Sequence, residues 1–84
     1  MLGIEHDEFT LVVGKVIREE RKRVGFTQEE LGFETDLQRN YISLMELGRH
    51  QPTVSTLFKL AKALKTTPNE LVLAIEIKLK QGET

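Results

Sequence analysis

Apolar residues in the first part of this chain return at intervals of three and four. Between Phe9 and Val24 the positions Phe9, Val12, Val13, Val16 and Ile17 mark one buried face of a helix. Gly25 closes that helix as a C-terminal cap. Thr27 and Glu30 then stand in the spacing of a capping box, where hydroxyl and carboxylate each satisfy an orphan amide at the start of a second helix. Leu37, Ile42 and Met45 supply inward positions for a third helix, which stops near Gly48, where a missing Cβ permits a left-handed turn. Pro52 and Thr53 restart the chain, and "VSTLFKLAKAL" sets Val54, Leu57, Leu60, Ala61 and Leu64 on one face with Lys59 and Lys62 outside it. Thr67, Pro68 and Glu70 repeat the start signal, with proline at the first helical position and a second capping box around it. The pattern predicts an all-α protein of five short helices.

The last segment carries two periodicities. "LVLAIEIKLK" alternates apolar and polar from Leu73 to Lys80, as a half-buried strand does, while Leu71, Ile75 and Leu79 also fall at i, i+4 and i+8. The capping signal favours helix, and the strand stays open as the alternative.

With 84 residues, and no repeat, low-complexity tract or flexible linker, the chain is expected to form one domain over 1–84. That is near the lower limit for a core that holds a fold unaided, so a partner subunit is expected from size alone. There is no cysteine, which removes disulfides and thiolate metal sites and suits a reducing compartment. The two histidines, His6 and His50, are far apart and lack ligand spacing, so no metal is expected. No apolar run approaches the ~20 residues of a membrane span. The acidic start "MLGIEHDEF" is the opposite of a basic secretory signal. A cytoplasmic protein with no cofactor and no membrane contact is the expectation.

A net charge of −1 is not the usual footprint of a nucleic-acid binder. The distribution is uneven, however. Lys15, Arg18, Arg21, Lys22 and Arg23 form one basic cluster and Lys59, Lys62 and Lys65 another, against acids at residues 5 to 8 and at Glu29, Glu30, Glu34 and Asp36.

Two short helices around a tight turn, at about residues 27–47, are the layout of a helix-turn-helix, whose second helix enters the DNA major groove. That second helix opens on Gln38, Arg39, Asn40 and Tyr41. Arginine can fork onto O6 and N7 of guanine, and Asn or Gln can pair with N6 and N7 of adenine. On spacing alone the row reads equally well as the solvated face of an amphipathic helix.

The residues themselves decide more. "FTQEELGFETDLQRNYISLMELGRHQPTVSTLFKLAKALKTTPNEL" resembles, without a gap, the helix-turn-helix domain of phage Cro proteins and repressors, the xenobiotic-response-element family. The matching positions include Thr27, Gln28, Leu31, Ile42, Ser43, Glu46, Gly48, Pro52, Leu57, Ala61, Leu64 and Leu71, and the likeness runs from residue 9 to about 75. "Arg39-Asn40-Tyr41-Ile42-Ser43" also resembles the recognition segment of restriction-modification controller proteins. Three positions depart from the pattern. Gly32 replaces the usual Ala at up to ~1 kcal/mol of helix propensity, Asp36 replaces a small turn residue, and Gln38 replaces the better caps Ser or Thr.

The resemblance implies a transcriptional regulator of double-stranded DNA; the apolar surface of the last segment, more than one small core can absorb, adds the expectation of a homodimer on a palindromic operator, and no small-molecule ligand is evident. Expected base contacts are Gln38, Arg39, Asn40, Ser43 and Leu44, the last reading a thymine methyl or else packing in the core. Expected phosphate contacts are Thr27, Gln28, Tyr41, Arg49 and His50. Arg21 and Glu46 are expected to form a structural ion pair. Val72, Leu73 and Ile77, in a dimerisation segment at about 68–80, are expected at the subunit interface. Two other classes stand beside this one: a helical protein-interaction module such as an antitoxin, and a small enzyme. For the enzyme the sequence offers no catalytic constellation, since Ser43 and Ser55 have no neighbouring histidine and no glycine-rich phosphate loop follows a strand.

Overall fold

The computed structural model describes residues 8–82. His6 and the acids Glu5 and Asp7 lie outside the described residues. Five helices follow one another: α1 (Glu8–Val24), α2 (Gln28–Thr35), α3 (Arg39–Glu46), α4 (Val54–Ala63) and α5 (Pro68–Gly82). No strand occurs among the described residues, so the last segment takes the helical alternative. Its alternation is that of a helix with apolar residues on more than one side.

The punctuation residues act locally as their chemistry requires. Gly25, at φ 95°, ends α1 by donating its N–H to the carbonyls of Arg21 and Lys22 at 3.0 and 3.1 Å. At the start of α2 the Thr27 hydroxyl accepts from Glu30 N at 3.0 Å and Glu30 Oε1 accepts from Thr27 N at 2.8 Å, so the capping box is complete. The second box is only half formed. Thr67 Oγ1 accepts from Glu70 N at 3.1 Å, but the Glu70 carboxylate takes the Thr66 hydroxyl at 2.9 Å. A donor one turn back on a free side chain has replaced the cap amide.

The core draws on all five helices, with Ile17, Leu31, Ile42, Met45, Leu60, Leu64 and Leu71 essentially inaccessible to solvent. Two positions expected to face inward do not. Phe9 is 44% and Val54 73% exposed: Phe9 stands on the rim of an apolar groove with Leu57, Val72 and Leu79, and Val54 opens α4 with its side chain largely in solvent. The periodicity identifies the face but not where its cover ends.

Two glycines set how closely the helices approach. A Cβ on Gly14 of α1 would lie 2.7 Å from the Glu46 carbonyl oxygen at the end of α3, and nearer still to that of Met45. On Gly32 it would lie 2.6 Å from the Leu37 carbonyl oxygen in the turn. The glycine found where alanine is usual thus lets the α2–α3 turn close tightly, with Leu37 N donating to Gly32 O at 2.9 Å. Asp36 supplies the left-handed residue of that turn at φ 59°, a conformation Asp tolerates better than most side chains.

Gly14→Ala should therefore destabilise the protein by about 1 to 3 kcal/mol, although alanine is the better helix former by ~1 kcal/mol. Urea unfolding should show a lower midpoint at an unchanged slope. A midpoint at or above that of the wild type would mean that α1 and α3 are not in backbone contact.

Candidate nucleic-acid interface

α2 and α3 are joined by Asp36, Leu37 and Gln38, and α3 turns Ile42, Met45 and Glu46 into the protein. Its other side carries Gln38, Arg39 and Asn40, all exposed, followed by the half-buried Ser43 and Leu44. Gln38 is the N-cap residue and makes no side-chain capping bond, so its carboxamide is not used by the helix it begins. Among the described residues neither Arg39 nor Asn40 spends its side chain on a hydrogen bond or ion pair.

The placement of Arg39 runs against local electrostatics. The start of a helix carries partial positive charge and favours acids, by roughly 0.3 to 1 kcal/mol per residue. The first turn of α3 has no acid, and its first residue is an arginine. α2 obeys the rule, with Glu29 and Glu30 in its first turn. Places where a local rule is broken without internal compensation are where function or strain is expected.

The other candidates fall into two groups. Tyr41 is half-buried and its ring lies 5.9 Å from that of His50, which brings the middle of the α3–α4 loop beside α3. Arg49 and His50 are exposed there. At the start of α2 the Thr27 side chain is committed to its cap, which leaves the backbone N–H groups of Gln28 and Glu29 as open donors. The Gln28 side chain is itself bonded: Nε2 donates to Glu46 Oε1 at 3.0 Å. Leu47 was missed by the sequence reading. It caps α3 and is 57% exposed, in line with Asn40 and Leu44 at the i, i+4, i+7 spacing that marks one helical face.

Beneath this surface Arg21 and Glu46 meet as a forked pair. Arg21 Nε donates to Glu46 Oε2 at 2.7 Å and Nη2 to Oε1 at 3.0 Å, while Nη1 donates to the Phe26 carbonyl at 2.8 Å. The Glu46 side chain is 2% exposed. The hydrogen bonds it donates to Glu46, helped by the carboxylate's charge and opposed by burial, raise the Arg21 guanidinium above its already high ordinary value.

On α5, Val72, Leu73 and Ile77 are each about half exposed. Val72 borders an apolar groove with Phe9, Leu57 and Leu79. No group of His, Asp or Glu among the described residues is arranged to hold a metal ion, and no described helix is long and apolar enough to cross a membrane.

The family model described as helix-turn-helix matches residues 17–71, more than half of the chain and all of α2, α3 and α4. The chain belongs to the helix-turn-helix family. Among curated relatives, the transcriptional regulator y4dJ of Sinorhizobium fredii is 41% identical over 61 residues, covering 73% of this chain and 79% of its own. Control protein C.BamHI of Bacillus amyloliquefaciens is 36% identical over 63 residues, covering 74% and 78%. Among solved structures, the restriction-modification controller protein C.AhdI from Aeromonas hydrophila superposes with a TM-score of 0.71 at 35% identity, covering 74% of this chain and 94% of that one. This helix-turn-helix protein is a DNA-binding regulator similar to the controller proteins.

Proposed function

We propose that the protein is a homodimeric transcriptional regulator that binds a palindromic DNA operator, with α3 in the major groove of each half-site. The observation that carries this is the unbonded, exposed row Gln38, Arg39 and Asn40, with Arg39 at the end of the helix that its charge disfavours. Arg39 forks onto guanine, Gln38 and Asn40 pair with adenine, and Ser43 and Leu44 complete the readout, Leu44 against a thymine methyl. Thr27, Gln28, Tyr41, Arg49 and His50 hold the phosphates that set the register. Regulation is by binding and not by catalysis, and the protein works in the cytoplasm, at the DNA. Residues 1–84 act as one domain, with the helix-turn-helix at about 27–47 and the dimerisation segment at about 68–80.

The dimer follows from apolar surface. Val54 and Phe58 of α4 are 73% and 58% exposed, and Val72, Leu73 and Ile77 of α5 are each about half exposed. A monomer of this size would leave that surface wet, and a two-fold mate covers it. The two copies of α3 would then lie about 34 to 36 Å apart, one turn of duplex, and the half-sites roughly 10 base pairs apart.

Selection of bound sites from random duplex DNA tests affinity, sequence preference and half-site spacing together. On the selected site Arg39→Ala should lose ~1 to 3 kcal/mol of binding free energy, most of it as relaxed preference at one base pair per half-site. Equal affinity of Arg39→Ala and wild type, or failure of the wild type to enrich any site, would sink the assignment.

A further inference from the structure

Glu46 is the last residue of α3 and faces inward, yet it touches the start of α2 as well as α1. Its buried carboxylate receives three hydrogen bonds: two from Arg21, at 2.7 and 3.0 Å, and one from Gln28 Nε2, at 3.0 Å. A carboxylate only accepts, so the Gln28 carboxamide must present its nitrogen and not its oxygen to Glu46. One of the two flips of that side chain is thereby removed. The second N–H on the same nitrogen stays available, and a phosphate oxygen likewise only accepts. The charge of Glu46 is balanced by Arg21, so the arrangement adds no net negative charge beside a DNA backbone.

We propose that Glu46, neutralised by Arg21, is a positioning residue for DNA binding: it holds the Gln28 carboxamide in the orientation that donates its free N–H to a backbone phosphate. This rests on the DNA-binding reading above and deepens it. Because Glu46 belongs to α3, the same bond fixes the distance between the phosphate anchor at the start of α2 and the helix that reads the bases. Without it the Gln28 side chain keeps its chemistry but loses its aim, and half of its rotational states present an oxygen to an anion.

A double-mutant cycle reads this directly. Replacing Arg21→Met together with Glu46→Leu removes the clamp and leaves apolar groups of similar size, a change that buried pairs tolerate. In the wild-type background, Gln28→Ala should weaken operator binding about tenfold, as loss of one hydrogen bond to a charged group does. In the paired background, affinity should already be down by about the same factor, and adding Gln28→Ala should change it less than about twofold. A full tenfold loss in both backgrounds would make Glu46 merely structural and overturn the proposal. So would a Gln28→Ala protein that binds as well as the wild type. In either case the wild type would still select an operator and Arg39→Ala would still relax it, whereas failure of the DNA-binding reading removes selection altogether. Should the paired variant not fold, nitrogen-15 NMR of the wild type decides. In the free protein one Gln28 side-chain amide proton should already be held by Glu46 and protected from exchange, and on adding operator the other should shift; two equivalent, freely exchanging protons before DNA, or a signal unmoved at saturation, would overturn the proposal.

Discussion

Glu46→Ala should lower the stability of the folded protein by about 3 to 5 kcal/mol, a fall in melting temperature of ~15 °C or more for a domain of this size. The magnitude comes from what is left behind. Arg21 is 8% exposed and loses two of its three hydrogen bonds, keeping only the one to the Phe26 carbonyl. A guanidinium cannot escape the penalty by giving up its proton, and here its proton affinity is raised further by Glu46. On the arginine side the stabilisation is fully present below the ordinary guanidinium value. It is lost only as pH rises through the raised value, so it is flat across the neutral range. The paired replacement Arg21→Met with Glu46→Leu should recover most of the loss, because no buried charge then lacks a partner. Thermal unfolding followed by circular dichroism checks both. An alanine variant that melts with the wild type would show that Arg21 finds water or another acceptor at no cost.

How far the chain could be read before its structure was known depended on how local each signal was. Thr27 with Glu30, Gly25 and Gly48 act within one turn of themselves, and each does in the structure what its chemistry suggested. The choice of helix for α5 was also local, since Leu71, Ile75 and Leu79 find cover one turn apart. Phe9 and Val54 lie on the faces that periodicity marks, yet Phe9 stands at a groove rim and Val54 in solvent, because how fully a face is covered depends on the packing of the other helices, which periodicity does not contain. Leu47 carries no polar group to mark it as a contact, although it continues the face of Asn40 and Leu44 just past the end of α3. The bond from Gln28 to Glu46 spans 18 residues and depends on the angle between α2 and α3. Gly32 lets the turn between those helices close and Gly14 lets α1 approach the end of α3, roles visible only when the backbones they admit are in place. The candidate row on α3 was legible only through the family resemblance, since spacing alone reads equally well as a solvated face; that Arg39 opens the helix with no acid in its first turn emerges once the start of α3 is fixed.

Ile77→Glu should leave the protomer folded and abolish its association, with operator binding lost in consequence. Ile77 is 49% exposed in the single chain, so a glutamate there can reach water, and the cost to the fold should stay within about 0.5 kcal/mol. In a two-fold dimer every change is made twice, and two carboxylates brought together at an apolar contact cost several kcal/mol, more than 100-fold in the dimer dissociation constant. Helical geometry adds a finer test. At about 100° per residue, Leu73 and Ile77 lie together on the outer flank of α5, whereas Val72 points to the flank that borders Phe9, Leu57 and Leu79. If the mate covers the outer flank, Val72→Glu should weaken the dimer less than Ile77→Glu; if it seats in the groove, the order reverses. Either order keeps the two-fold model, because Val54 and Phe58 on α4 extend the apolar surface. Operator affinity should fall in parallel with dimerisation, since one α3 alone reads only a half-site. Sedimentation at micromolar concentration beside operator titration decides the matter. A wild type that sediments as a monomer, with both glutamate variants binding operator undiminished, would leave each half-site occupied independently and the proposed symmetry without support.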